Sequence, residues 1–495
     1  MKILLVFPEF PETFWSFKHA LKFVFKKSTN PPLGLLTVAG LLPTTWEKRL
    51  VDQNVSKLLD RDLLWADYVF LSGISIQKKS VQETLARCRA LGVKVVAGGP
   101  LFTSSHEGFA GVDHFVLGEA ELALPPFLRD LEKGRLQPIY RAEDWADLQT
   151  TPIPQWHLIN QRKYASMSIQ YSRGCPYNCD FCDITLLYGK HCRTKTVDQV
   201  IREMDAIYQS GWRGPVFFVD DNFIGNRKKL KQEILPAVIA WMANKRHPFS
   251  FFTQTSIDLA DDDELMRRMS QAGFDTVFVG IETPNEMSLS ECTKSQNKNR
   301  DLIACVKKIQ KFGFQVQAGF IVGFDSDPAT IFETQINFIQ KSGIITAMVG
   351  LLNAMQGTQL YQRLKDENRL LKDVTGDNTD FTLNFIPKMD RADLLEGYRK
   401  IIAKIYSPKY FYARVKTYLK TYRKNTQRDR RFRFRPLLLV TFMRSVIRLG
   451  LIGKERYQYW KLLSWSLLRR PRTFPLAVTF SIYGFHYRKV FEKYI

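Results

Sequence analysis

The chain has 495 residues, 45% of them apolar and 24% charged, and carries a formal net charge of +23. This length and composition exclude a disordered or fibrous chain and predict two or three globular domains with substantial cores. Seven cysteines, an odd number with three of them inside eight positions, exclude a disulfide-stapled secreted framework and point to metal ligation or catalysis in a reducing compartment.

The apolar run Ile3 to Phe7 is too short for a secretory signal and lacks a small-residue cleavage site, so a cytoplasmic location is expected. Residues 1–133 read as short apolar strands alternating with helical stretches: Ile3 to Phe7, Arg49 to Val51, Tyr68 to Ile74, Val93 to Ala97 and His114 to Leu117. Their ends carry loop residues, among them Pro8, Asp52, Gly73-Ile-Ser75, Gly98-Gly99-Pro100 and Gly118-Glu119. This is the pattern of an α/β, doubly wound Rossmann-like domain, which holds a nucleotide-like ligand beyond the carboxyl ends of its strands. Residues 134–163, with Pro138, Pro152, Pro154 and little periodicity, read as a linker.

Over 164–387 a strand and helix unit repeats six times, with strands at Met167 to Tyr171, Val216 to Val219, Phe249 to Thr253, Thr276 to Val279, Val316 to Val322 and Ala347 to Leu352. The spacing predicts a full or partial (β/α) barrel. Each strand is followed by unusual residues: Cys175, Cys179 and Cys182 after the first, then Asp220-Asp221-Asn222, Gln254-Thr-Ser256, Gly280-Ile-Glu282, Gly323-Phe-Asp325 and Asn353 to Thr358. All six groups are expected on the carboxyl face, where such barrels assemble their sites. Residues 388–495 read as helical, then basic and aromatic. From Lys409 to Ile495, 22 Lys and Arg stand against Asp429, Glu455 and Glu492, a balance of +19. The longest uncharged run there, Thr473 to Tyr487, is too short and too polar to span a bilayer.

The C-x3-C-x2-C triplet supplies three thiolates from one loop, whereas a fully ligated iron-sulfur cluster takes four, so one metal position stays open to a substrate or cofactor. The triplet's spacing by itself also admits a zinc site completed by His191 or Cys192. Carboxylates at strand ends are often helix caps, and Gly319 is open to a plain packing role.

The stretch Arg173-Gly-Cys-Pro-Tyr-Asn-Cys-Asp-Phe-Cys182 resembles the signature of the radical S-adenosylmethionine superfamily, including aromatic Phe181 before the last cysteine. The resemblance implies a 4Fe-4S cluster on Cys175, Cys179 and Cys182, with S-adenosyl-L-methionine on the open iron and cleaved to a 5'-deoxyadenosyl radical. It places Phe181, Asp220, Asp221, Asn222, Ser256, Glu282 and Gly323 around S-adenosylmethionine, with Gly319 to Gly323 against the adenine. A doubly wound domain ahead of such a barrel is similar to the cobalamin-binding branch, which implies cobalamin near Ser72, Gly73, Ser75, Gly98, Gly99, Gly118 and Glu119. The D-x-H-x-x-G cobalt-ligating motif is missing and His19 has no such context, as in many members of that branch. The chemistry implied is a methyl transfer from methylcobalamin to an unactivated carbon, with a flavodoxin or ferredoxin as electron donor.

The tail's apolar stretches Leu437 to Met443, Leu462 to Leu468 and Phe474 to Phe480, flanked by Arg, suit an anionic membrane surface better than RNA, so a peripheral position at the inner face of a membrane, a lipid substrate and no nucleic-acid partner are expected. The runs Met1 to Phe23, Pro31 to Leu36 and Phe217 to Asn222 are similar to the bacterial hopanoid C-2 methylases. The competing readings are a cobalamin-dependent oxidase, cyclase or ring-contracting enzyme without methyl transfer, and a membrane-bound carrier. A tRNA methylthiotransferase would need more cysteines in the first domain than Cys88.

Overall fold

The computed structural model describes residues 1–371, 375–377, 379–422, 436–492 and 494. Six strands form a wholly parallel first sheet: β1 (Lys2–Phe7), β2 (Glu47–Asp52), β3 (Tyr68–Ser72), β4 (Lys94–Gly98), β5 (His114–Leu117) and β6 (Ile139–Arg141). Alternation along β1 sends Ile3 and Leu5 to one face and Leu4 and Val6 to the other. Both faces are covered by helices, as a parallel sheet requires. The spatial order β2-β1-β3-β4-β5-β6 reverses direction between β1 and β3, which puts the ligand crevice beyond Phe7-Pro8 and Ser72-Gly73. Residues 134–163 are more than the linker expected of them, because they supply β6 and close that edge of the sheet.

The second sheet is also parallel and runs in sequence order: β7 (Met167–Ile169), β10 (Pro215–Phe218), β11 (Ser250–Thr255), β12 (Phe274–Glu282), β13 (Gln315–Val322) and β14 (Ala347–Leu351). Together with its helices it makes the predicted partial (β/α)6 barrel. A short antiparallel pair, β8 (Ser172–Arg173) and β9 (Arg193–Thr194), projects from the end of β7.

An open barrel leaves edge strands whose outward carbonyls need partners. At β14 the C-terminal helices supply them: the hydroxyls of Tyr406 and Tyr398 donate to the carbonyls of Ala347 and Val349 at 2.6 and 3.0 Å. Those carbonyls are two residues apart and so point to the same side of the strand. The helix Phe474–Phe491 adds Tyr487, whose hydroxyl lies 2.9 Å from that of Thr346.

This last helix also grips the segment that follows β1. Phe14 stacks on Tyr487 at 4.4 Å, and the Phe14 carbonyl accepts from Nε2 of buried His486 at 3.0 Å. Burial lowers the His486 pKa to about 4, which keeps the ring neutral. His19, which has no cobalt-binding sequence context, lies 3.0 Å from Glu12 and packs beside His486. The start of the chain thus bridges the first sheet, the barrel and the tail.

Candidate active site

The cysteine loop is a closed excursion between β8 and β9. Gly174 opens it at φ +93°, and a β-carbon there would sit 2.5 Å from the His191 carbonyl oxygen, so only glycine fits. Further along, the Asp180 N–H donates to the Cys292 carbonyl, the Leu360 N–H donates to the Asp180 carbonyl, and the Thr293 hydroxyl donates to the Asn178 carbonyl. Cys175, Cys179 and Cys182 are therefore held by the loops after β12 and β14 as well as by their own. All three are free, half-buried thiols. Burial pushes each thiol up, that of Cys182 to about 12, so metal binding has to displace their protons.

Three thiols from one loop match the ligand count of a cluster that keeps one iron open, whereas a structural zinc takes four ligands. Cys192 closes the same excursion just before β9, with its sulfur turned against Gly225 and beside Ser172.

The residues after β10 divide their work. Buried Asp220 accepts from the backbone N–H groups of Tyr171 and Ser172 and from the Ser172 hydroxyl at 2.6 Å, which fixes the turn from β7 into β8. Asp221 accepts from the Gly174 N–H at 3.4 Å. Asn222 donates to the Ser256 hydroxyl at 3.2 Å, while its own Oδ1 is buried without a partner. An orphaned acceptor between the loops after β10 and β11 is what an ammonium group would satisfy, so these residues fit the methionine end of S-adenosylmethionine.

Burial raises the Asp220 pKa to about 7, from 3.8 in the unfolded chain. A carboxyl raised in this way stabilises the fold fully below its unfolded pKa and loses that contribution as pH rises through the folded pKa. Thermal melts of the cluster-free protein are expected to weaken between about pH 4 and pH 7, and Asp220→Asn should flatten that slope. An unchanged slope would remove Asp220 as its source.

Glu282 ends β12 at φ +61°, where the pairing with β13 shifts register, and its Oε1 lies 2.6 Å from Nζ of Lys294. A β-carbon on Gly280 would sit 2.3 Å from that carboxylate, so the glycine makes room for the pair. Burial alone would lower the Lys294 pKa, but Glu282 and the sulfurs of Cys179 and Cys182 outweigh it and keep the ammonium charged. Lys294 also stands 6.0 Å from the centre of the Phe181 ring, and Gln296 points its amide at the Cys179 sulfur. A buried cation beside three thiols was not read from the sequence; its signal was Lys294 itself, two residues past Cys292. Gly323 bends the chain after β13 at φ +106°, its N–H on Asp327, and brings Phe324 against Phe181.

In the first domain Ser72, Gly73 and Ser75 lie at the switch crevice, with Gly99 beside them at φ +91° and so close that a β-carbon would meet the Ser72 hydroxyl at 2.4 Å. Gly98 packs on the Val116 carbonyl, and Gly118 accommodates a turn at φ +83°. Glu119 is placed differently from expectation. Its carboxylate accepts from Arg173 at 2.8 Å, from Arg193 at 2.8 and 3.1 Å and from the Ala146 N–H at 2.6 Å, so it binds the barrel rather than facing the crevice. Glu121 takes the other arm of Arg173 at 2.8 Å. These ion pairs bring the carboxyl edge of the first sheet against the cysteine loop.

Three thiols on the first loop of a parallel partial barrel, behind a doubly wound sheet, define the class of a radical S-adenosylmethionine enzyme. The radical SAM superfamily model matches residues 169–334, and a domain of unknown function matches residues 358–495. An uncharacterized methyltransferase of Synechocystis is 39% identical over all of this chain and 93% of its own. Hopanoid C-2 methylase of Rhodopseudomonas palustris is 32% identical, covering 94% of this chain and 90% of its own. The cobalamin-dependent S-adenosylmethionine radical enzyme OxsB superposes with a TM-score of 0.62 at 15% identity, covering 99% of this chain and 79% of its own. The methyltransferase TsrM of Kitasatospora setae superposes at 0.59 and 14% identity, covering 80% and 85%. The chain belongs to the radical S-adenosylmethionine methyltransferase family that includes hopanoid C-2 methylase.

Proposed function

We propose that the protein is a cobalamin-dependent radical S-adenosylmethionine C-methyltransferase that methylates an unactivated sp3 carbon of a membrane lipid, the C-2 position of a hopanoid. The likeness to hopanoid C-2 methylase over nearly the whole chain, tail included, carries the reading. Cys175, Cys179 and Cys182 would hold the 4Fe-4S cluster, and Asn222, Ser256 and the Glu282–Lys294 pair would receive S-adenosylmethionine. The crevice at Ser72, Gly73, Ser75 and Gly99 would receive cobalamin. The cofactors supply the radical and the methyl group. The protein's part is to orient the lipid carbon between them and exclude water.

The test is anaerobic incubation of the reconstituted enzyme with reductant, cobalamin, methyl-deuterated S-adenosylmethionine and a hopanoid, followed by lipid mass spectrometry. One labelled methyl on the A ring is expected. A product altered without methyl mass would favour an oxidase or cyclase, and an unchanged hopanoid alongside S-adenosylmethionine cleavage would overturn the substrate.

A further inference from the structure

The tail's three apolar stretches do not share one fate. Phe474 to Phe480 buries Ala477, Val478 and Phe480, and Leu462 and Leu463 are buried as well. The helix Pro436–Ser445, continued as a wider helical turn over Val446–Leu451, instead divides lengthwise. One face is packed: the Thr441 hydroxyl lies 3.3 Å from the Phe23 carbonyl, Ser445 contacts Tyr459 at 2.8 Å, and Leu449 is fully buried. The other face, stepping by three or four residues through Val440, Met443, Ile447 and Leu451, is exposed and ends in Ile452, which is 72% exposed. The Trp460 indole donates to the Gly450 carbonyl at 3.0 Å and is held at the same corner, with Tyr457 70% exposed beside it.

We infer that this stripe is a monotopic membrane-docking element that inserts Met443, Ile447, Leu451 and Ile452 into the interface of an anionic bilayer. Apolar side chains aligned on a fixed helix, with an aromatic pair at the corner, are unfavourable in water and match the depth of a headgroup boundary. Charge chooses the partner. Arg444, Arg448, Lys454 and Arg456 flank the stripe, and their charge complements anionic lipid. Arg444 is fixed there by its bond to the Lys22 carbonyl at 2.6 Å and by stacking 3.8 Å over exposed Phe25. Among the described residues no helix is long and apolar enough to cross a membrane, so the element lies in the plane of the surface. The basic run 423–435 lies outside the described residues. The inference rests on the lipid reading above for its purpose and on these exposed side chains for its chemistry.

The test is co-sedimentation of the full-length protein with vesicles of phosphatidylcholine mixed with phosphatidylglycerol, and with phosphatidylcholine alone. Wild type is expected on the anionic vesicles. Ile447→Asp with Leu451→Asp should bind at least about a hundredfold more weakly, since two aliphatics buried in the bilayer are lost, and Lys454→Gln with Arg456→Gln about thirtyfold more weakly. Unchanged melting temperature and S-adenosylmethionine cleavage establish that the variants are folded. Equal binding by wild type and the Asp pair would overturn the inference. So would a dimer in sedimentation velocity that the Asp pair abolishes, because the stripe's occupant would then be a second copy. Methylation of detergent-dispersed hopanoid separates the two readings: if wild type fails it yet docks, the substrate is wrong and the docking element stands.

Discussion

Replacing Cys175, Cys179 and Cys182 together by Ala is expected to remove all cluster absorbance and iron and to reduce S-adenosylmethionine cleavage to background. Each sulfur comes from the same short loop, and the two other cysteines near it, Cys192 beside Cys175 and Cys292 beside Cys179, turn their sulfurs into packed surroundings. Cys88 and Cys292 are buried in cores, Cys192 packs on Gly225, and Cys305 lies in the helix Leu302–Lys311. The triple variant should fold, because the loop's anchors are backbone groups and neighbouring side chains: the Cys292 carbonyl, Thr293 and the β8–β9 pair. Cys192→Ala is the control and should retain the cluster. Iron content, visible absorbance and the yield of 5'-deoxyadenosine check the outcome. A four-iron cluster surviving in the triple variant would end the assignment of these residues as ligands.

The Glu282–Lys294 pair sets a finer condition on the same site. Truncating one member of a buried ion pair strands the other charge, at a cost of about 3–5 kcal/mol. With Glu282 removed, the Lys294 ammonium has no anionic partner in the cluster-free protein, because burial keeps the loop's thiols protonated. Glu282→Ala should therefore destabilise more than Glu282→Gln, which keeps a hydrogen-bond acceptor for the lysine. Urea titration of both cluster-free variants compares them: equal losses would mean that the retained acceptor does nothing for the ammonium, and no loss in either would mean that the pair carries no net stabilisation.

Much of this was legible because the barrel's chemistry is local in sequence. Each strand ends where a Gly, Asp, Ser or Cys interrupts an apolar run, so the loop residues could be assigned to the carboxyl face before any coordinates. The alternation of strands and helices also gave the doubly wound class. It did not give the order of strands, because a period of two or of 3.6 says which face is buried and nothing about which neighbour a strand pairs with. β6 was missed for a related reason: of its three residues only Tyr140 is buried, so Ile139 to Arg141 presents no pattern. Long-range pairings were equally silent. The tyrosines that cap β14 belong to helices whose apolar spacing reads as ordinary core. The tail's apolar runs looked alike in sequence, and only packing separates the buried Phe474–Phe480 run from the exposed stripe.

Glu119 makes the same point with the largest consequence outside the cluster itself. In sequence it follows a strand and a glycine, the position of a ligand-binding carboxylate; in space its oxygens are engaged by Arg173, Arg193 and the Ala146 N–H. Arg173 directly precedes the Gly174-Cys175 turn, so this carboxylate sets where the cluster loop begins. Its side chain is 3% exposed and that of Arg173 is 11% exposed, which takes the contact out of the regime of weak surface ion pairs. Glu119→Ala leaves two guanidiniums short of a partner and is expected to cost about 3–5 kcal/mol, with lower iron content after reconstitution. Cobalamin retention should be unaffected, because the crevice at Ser72 and Gly99 is untouched. Glu119→Gln should fall between wild type and Ala in stability, since the amide oxygen still accepts one guanidinium hydrogen bond. Urea titration, iron content and cobalamin absorbance of the two variants decide the role. Loss of cobalamin with full stability and iron would return Glu119 to the ligand crevice. Loss of stability and iron with cobalamin retained would make it the joint through which the first domain positions the radical site.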